Sequence, residues 1–164
     1  MLKKLIAVLC IFALLFSFSS CKMPERQDWS QLVYMTDREL KDMKLNIEDS
    51  FFYDGKWFLS VPVTAEENIL ITASEDENLL ITSFAVTVLN NGAEGTAEVF
   101  LNITEAVLKA FSGTDNAGKL IEGVGLFAED RLFSEETFFF ESGRYSVSFF
   151  NAPEGSSLMA ELLY

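Results

Sequence analysis

The sequence predicts an α+β fold, a single domain with an antiparallel sheet and one or two helices packed on one face. Two observations predict it. Apolar residues recur every four positions over 96–112, which is the period of a helix that buries one side. Several short β-rich runs are separated by short turns, which join neighbouring antiparallel strands. The length of 164 residues is typical of one domain.

The first predicted elements are a helix and a hairpin. Thr36 and Glu39 have the spacing of a capping box, which predicts a helix over about 37–45. Asp54-Gly55 separates two aromatic-rich runs, a pattern typical of a two-residue type I′ hairpin. Pro62 should end the second strand or place it at an edge, because proline donates no backbone hydrogen bond.

A second hairpin is predicted from a short internal repeat. The run that begins Glu67-Asn-Ile-Leu-Ile-Thr recurs ten residues later as Glu77-Asn-Leu-Leu-Ile-Thr. A period of ten is too short for a solenoid repeat, so we interpret the two runs as paired strands. The acidic segment 74–78 between them is interpreted as a solvated turn.

Two helices and three strands complete the predicted domain. The stripe of residues at 99, 103, 107 and 111 should face the sheet, and Gly113 should stop this helix. A shorter helix is predicted at about 115–123. Strands are predicted at about 133–141 and 144–151. The last run, 157–164, fits a strand or a helix, and a strand is favoured. The three consecutive phenylalanines at 138–140 should point to both faces of the sheet, since side chains alternate along a strand.

The first twenty residues have the organisation of a secretory signal peptide. Lys3 and Lys4 precede an unbroken apolar run over 5–16, and small residues follow it. The apolar run has about 12 residues, whereas a helix that spans a bilayer needs about 20. We therefore expect residues 1–20 to be a signal peptide that is removed on export.

The junction Phe18-Ser19-Ser20-Cys21 resembles the lipobox of bacterial lipoproteins, with Phe18 in place of the usual aliphatic residue. The resemblance covers residues 1–21. It implies cleavage before Cys21, a diacylglycerol on its sulfur and, usually, acylation of the new amino terminus. Two or three buried acyl chains would give stable attachment to a membrane. A cleavage site that releases a soluble protein and an uncleaved membrane anchor are the alternatives.

The expected segments are a signal peptide over 1–20, a lipidated tether over 21–31 and a single α+β domain over 32–164. Cys10 and Cys21 are the only cysteines, so the processed domain should hold no internal disulfide. In the lipoprotein family, aspartate after the lipidated cysteine typically signals retention in the inner membrane. Lys22 therefore favours the outer membrane of the cell envelope, in a source that has one.

Composition excludes several classes of function. The chain has 25 acidic and 12 basic residues, a net charge of −13, whereas nucleic-acid binding needs a basic surface. Its lack of histidine removes the usual general base and a common zinc ligand. No catalytic, phosphate-binding or metal-ligating motif stands out. We therefore expect no enzyme activity, no metal site and no cofactor.

Two functions remain open. The first is a non-catalytic binding or interaction domain of the cell envelope with a protein partner. The second is a carrier or chaperone for an apolar ligand such as a lipid, because the chain contains 16 phenylalanines. An apolar cavity on the order of several hundred Å³ under the 96–112 helix would favour the carrier. A filled core would favour the interaction domain.

Overall fold

The computed structural model of this chain describes residues 26–41, 44–63, 67–89, 96–128, 135–152 and 155–164. Within these ranges, seven strands form one antiparallel sheet in the order β1-β2-β3-β4-β7-β6-β5. The predicted single α+β domain is confirmed, with three helices against the sheet. The elements are α1 (Trp29–Glu39), a 3-10 helix (Ile47–Asp49), β1 (Ser50–Tyr53), β2 (Lys56–Pro62), β3 (Asn68–Glu75), β4 (Ile81–Leu89), α2 (Thr96–Ser112), α3 (Thr114–Val124), β5 (Thr137–Ser142), β6 (Tyr145–Ala152) and β7 (Gly155–Leu162).

The first helix begins earlier than the sequence predicts, so the predicted helix over 37–45 is wrong. Its capping box is formed by Asp28 and Gln31, whose side chains each accept a hydrogen bond from the other's backbone N–H. Thr36 instead lies inside the helix and donates its hydroxyl to the Leu32 carbonyl at 2.8 Å. Trp29, which is 3% exposed, therefore starts α1 within the segment assigned to the tether (21–31).

Both predicted hairpins are present. Asp54 and Gly55 have φ values of 48° and 75°, and a type I′ turn requires positive φ at both positions. This turn joins β1 to β2, and β2 ends at Pro62 as predicted. The two similar runs form β3 and β4, which pair along their length in antiparallel register.

The predicted helix over 96–112 is confirmed as α2, and the predicted helix at 115–123 is confirmed as α3, one residue longer at each end. Ile103 and Val107 of the predicted stripe have no exposed surface, whereas Val99 and Phe111 are partly buried. Zero accessible surface means that a water-sized sphere finds no room beside these side chains. The core under the middle of α2 is therefore filled.

All three helices pack on the same face of the sheet. Trp29 of α1 stacks on Trp57 of β2 at 5.8 Å between ring centroids. Phe100 of α2 stacks on Phe149 of β6 at 6.2 Å. The strand register places Trp57 and Phe149 on one face. Among the described residues, no helix covers the opposite face, which we call the open face. No helix in the described ranges is long and apolar enough to cross a membrane.

The last three strands follow the predicted order, with bounds shifted by a few residues. The phenylalanines at 138–140 lie in β5 and alternate between the two faces, as predicted. Phe138 and Phe140 are half-buried against the core, whereas Phe139 is 60% exposed on the open face. The edge strand β5 therefore contributes aromatic surface to both sides of the sheet.

Candidate interaction surface

The strand register assembles two rows of side chains across the open face. One row crosses all seven strands, and the other crosses β2 to β5 beside it. None of the residues in either row is charged, and we call them together the uncharged patch. In spatial order the first row is Phe51, Phe58, Thr72, Ala85, Met159, Ser148 and Phe139, and the second is Ser60, Leu70, Thr87, Ser157, Phe150 and Thr137.

Large apolar side chains of the uncharged patch are exposed. Phe51 is 57% exposed, Phe150 52% and Met159 46%. Phe51 also stacks on Phe58 of the neighbouring strand at 5.1 Å between centroids. From the spacing of strands and residues, the patch covers roughly 400 Å². Exposed apolar side chains that lie together on one surface of a single chain often mark a binding site.

Charged side chains border the patch on one side. The next row on the open face contains Lys56, Glu161 and Glu141, and it lies toward the turn between β3 and β4. A sheet face that remains in water would be expected to carry some of the chain's many charges. Depletion of charge is instead characteristic of the centre of an interface. Exposed charged residues of the helical layer are Arg38, Glu39, Glu98, Asp115, Lys119 and Glu122.

The N-terminal segment of the described chain binds the turn between β3 and β4. The Arg26 guanidinium contacts the Asp76 carboxylate at 2.7 Å. The Ile81 backbone N–H donates to the Gln27 carbonyl at 2.8 Å. Cys21, the predicted lipid site, lies outside the described residues and five positions before Arg26. Five extended residues reach at most about 18 Å. We call this end of the sheet, which Arg26 and Gln27 contact, the tether end.

Asp76 organises the tether end. Its carboxylate accepts hydrogen bonds from the backbone N–H groups of Asn78 at 2.9 Å and Leu80 at 3.1 Å. Burial raises the pKa of the Asp76 carboxyl. The hydrogen bonds from Leu80, Asn78 and the Arg26 guanidinium together lower it by a larger amount, so the pKa lies below its ordinary value of 3.8. The predicted solvated turn therefore contains a carboxylate that orders the turn and holds Arg26.

Asp76→Asn is expected to lower the thermal midpoint at neutral pH by removing the charge that pairs with Arg26. A folded-state pKa below the unfolded value means that the carboxylate stabilises the fold above about pH 3.8. This contribution is lost as the pH falls through the folded-state pKa. Thermal melts of both proteins between pH 7 and pH 2.5 should therefore converge at the acidic end.

Glu77→Gln is the matched control, because it removes an exposed carboxylate from the same turn. We expect its melting curve to follow that of the parent protein at each pH. A difference between Asp76→Asn and the parent that stays constant from pH 7 to pH 2.5 would contradict the role of the carboxylate charge.

A groove of about 390 Å³ lies between the end of α1 and the outer side of α2. Its walls carry both acidic and basic side chains and only two apolar ones, which is unlike a binding site for an apolar ligand. Lys109 and Glu105 in its wall already form an ion pair at 2.8 Å. The lining residues are Glu39, Leu40, Lys41, Asn102, Glu105, Ala106 and Lys109.

Other acidic residues of the described ranges offer no metal centre. No group of three or more aspartate, glutamate, histidine or cysteine side chains is close enough there to hold an ion. Glu75 of the acidic turn instead accepts a hydrogen bond from the Trp57 indole at 2.8 Å.

Comparisons with protein-family models, curated proteins and solved structures find no match for this chain.

Of the uncharged patch, only Phe139 lies in the run of phenylalanines at 138–140 that the sequence predicts to point to both faces of the sheet. The members of the patch come from all seven strands, so none is near all the others in sequence. One local signal was available. The core-facing positions of β6 and β7 are mostly apolar, and Phe150 and Met159 are large apolar residues at the positions between them, which point to the opposite face. The order of the strands is needed to see that these residues meet on one surface.

Proposed function

We propose that this chain is a lipid-anchored protein of the cell envelope, in the outer membrane of a source that has one. Its domain is a non-catalytic interaction module, and the open face of the sheet is the docking surface. The observation that carries this proposal is the uncharged patch on a chain with a net charge of −13. Binding a protein partner would remove its exposed aromatic side chains from water.

The filled core supports the interaction module over the carrier. Phe100, Ile103 and Val107 of α2 have no exposed surface, and neither do Phe149 and Leu158 beneath them in the sheet. A carrier that encloses an acyl chain needs a cavity on the order of several hundred Å³ lined by apolar residues. The central core packs around these side chains without such space.

The signal-peptide pattern and the lipobox-like junction support the anchor. Acylation at Cys21 would place the lipid close to the tether end of the domain. That end carries several acidic residues, including Glu75 and Glu77, which anionic headgroups repel. The domain would therefore stay in the aqueous phase beside the membrane, with its open face accessible to another protein.

Cys21→Ser is expected to release the chain from membranes and to abolish labelling by an alkyne fatty acid, because the thioether to the lipid cannot form. Cell fractionation and in-gel fluorescence measure the two effects. The control is Cys10→Ser, which alters the other cysteine of the chain and should leave both readouts unchanged. Membrane association that persists in Cys21→Ser, together with no label on the parent chain, would refute the lipid anchor.

A further inference from the structure

We propose that the occupant of the open face is a second copy of this chain. The two copies pack sheet against sheet around a twofold axis that runs parallel to the strands along β4. This inference rests on the proposed function, because it names the partner of the same docking surface. Rotation about this axis places β1 opposite the partner's β5, β2 opposite its β6, and β3 opposite its β7. Packed sheets commonly keep their strands within about 30° of each other.

The side chains of the first patch row are complementary in size under this rotation. Phe58 on β2 would face the small Ser148 on the partner's β6. Met159 on β7 would face the smaller Thr72 on the partner's β3. Ala85 on the central strand would face its own copy. Large residues therefore lie opposite small ones, as close packing of two surfaces requires.

The second patch row shows the same complementarity. Phe150 on β6 would face Ser60 on the partner's β2, and Leu70 on β3 would face Ser157 on the partner's β7. At the outer edges, Phe51 of one copy would face Phe139 of the other. Aromatic pairs of this kind add to the stability that burial alone supplies. The strand order thus makes the open face complementary to itself.

The charged row at the edge of the patch is complementary too. Rotation about an axis parallel to the strands does not change a residue's position along the strand direction. The charged row of one copy therefore faces the charged row of the other. Lys56 on β2 would lie opposite Ser146 of the partner's β6, between the partner's Glu161 and Glu141. A basic side chain would therefore stand between two acidic ones, once on each side of the axis. Such pairs at a rim select orientation more than they add affinity.

The open face is large enough for a stable dimer. With about 3.4 Å per residue and about 4.8 Å between strands, the seven strands present roughly 800 Å² per copy. Stable protein interfaces bury about 800 Å² on each partner. The uncharged patch would form the charge-depleted centre and the charged row part of the polar rim, which is the usual organisation of an interface.

The anchor is compatible with this dimer. An axis parallel to the strands leaves both tether ends on the same side, so two copies can attach to one membrane. Confinement to a membrane surface also raises the effective concentration of each copy for the other. The net charge of −13 on each chain opposes association at long range. Added salt should therefore strengthen the contact, since it shortens the screening length from about 30 Å at 0.01 M to about 8 Å at 0.15 M.

Cross-linking of the full chain in membranes tests the dimer. Leu89 ends the central strand and is 70% exposed, so a Leu89→Cys side chain would face its own copy near the axis. A bis-maleimide with a reach of about 13 Å can join two such thiols across sheets packed about 10 Å apart. We expect a product of twice the mass in Leu89→Cys, in larger yield at the higher salt. Asn102→Cys on the exposed side of α2 and the parent chain should yield none.

A charge placed in the contact tests its location. In the Leu89→Cys background, Phe150→Glu should reduce the cross-linked fraction about tenfold or more, because the carboxylate would be buried without a partner. Phe150 is 52% exposed within one copy, so its own fold tolerates the change. The matched control is Tyr34→Glu, an aromatic residue on α1 that is 65% exposed. We expect this control to leave the cross-linked fraction unchanged.

The outcomes separate the dimer from the proposed function. A product whose mass equals one copy plus a different protein overturns the dimer but retains the docking surface. Protection of Leu89→Cys from maleimide without any product also overturns the dimer. Labelling of Leu89→Cys as rapid as that of Asn102→Cys, with no product, overturns both the dimer and the open face as a docking surface. Equal cross-linking in the Phe150→Glu and Tyr34→Glu variants overturns the proposed contact.

Discussion

Phe100→Ala is expected to lower the free energy of unfolding by about 3–5 kcal/mol, a large fraction of the 5–15 kcal/mol typical of a domain. Phe100 has no exposed surface and stacks on Phe149 of β6 at 6.2 Å between ring centroids. Truncation would remove this contact between α2 and the sheet. It would also leave a cavity that the surrounding core can only partly close. Denaturant unfolding followed by circular dichroism measures the change.

Lys109→Ala on the same helix is the control for Phe100→Ala. Lys109 is partly exposed and forms an i,i+4 ion pair with Glu105 at 2.8 Å. Pairs of this type contribute about 0.3–0.5 kcal/mol, so the control should change the free energy of unfolding little. Equal small changes in both variants would contradict the packing of α2 described above.

Gly155→Ala is the second substitution with a large expected effect, a loss of about 2–6 kcal/mol in the free energy of unfolding, because backbone strain and overpacking each cost about 1–3 kcal/mol. Gly155 begins β7 with a φ of 157°, a value that residues with a Cβ rarely adopt. It pairs with Leu89 of β4, and a Cβ at this position would meet the backbone carbonyl of Val88. Backbone of a central strand cannot move aside without disturbing the β4–β7 pairing.

Gly118→Ala provides the contrast, because it is the same chemical change in a permissive place. Gly118 lies in α3, is exposed, and a Cβ there would have no atom within 4 Å. Alanine is favoured over glycine in a helix by about 0.5–1 kcal/mol, so Gly118→Ala should raise stability. Denaturant melts of the two variants should therefore shift in opposite directions. A Gly155→Ala protein as stable as the parent would refute the close approach of β7 to β4.

Local patterns were sufficient to predict most elements of the fold. The spacing of apolar residues predicted α2, and Asp54-Gly55 predicted the β1–β2 hairpin, because both signals arise within a few residues. The first helix was misplaced because two capping boxes compete in this region. The box at Asp28 and Gln31 brings Trp29 and Leu32 into the core, where burial stabilises the earlier start. The box at Thr36 brings no comparable apolar surface to the sheet.

The order of the elements, the acidic charge and the signal-peptide pattern with Cys21 can all be read from the amino-acid sequence. Each of these depends only on composition or on neighbouring residues. The common surface of Phe51, Phe139, Phe150 and Met159 arises only when the strands pair in the folded domain. Their side-chain direction follows from strand alternation, but their proximity follows from the insertion of β7 between β4 and β6. That long-range pairing is selected by burial of the opposite face beneath the helices, and it leaves the uncharged patch exposed as a consequence.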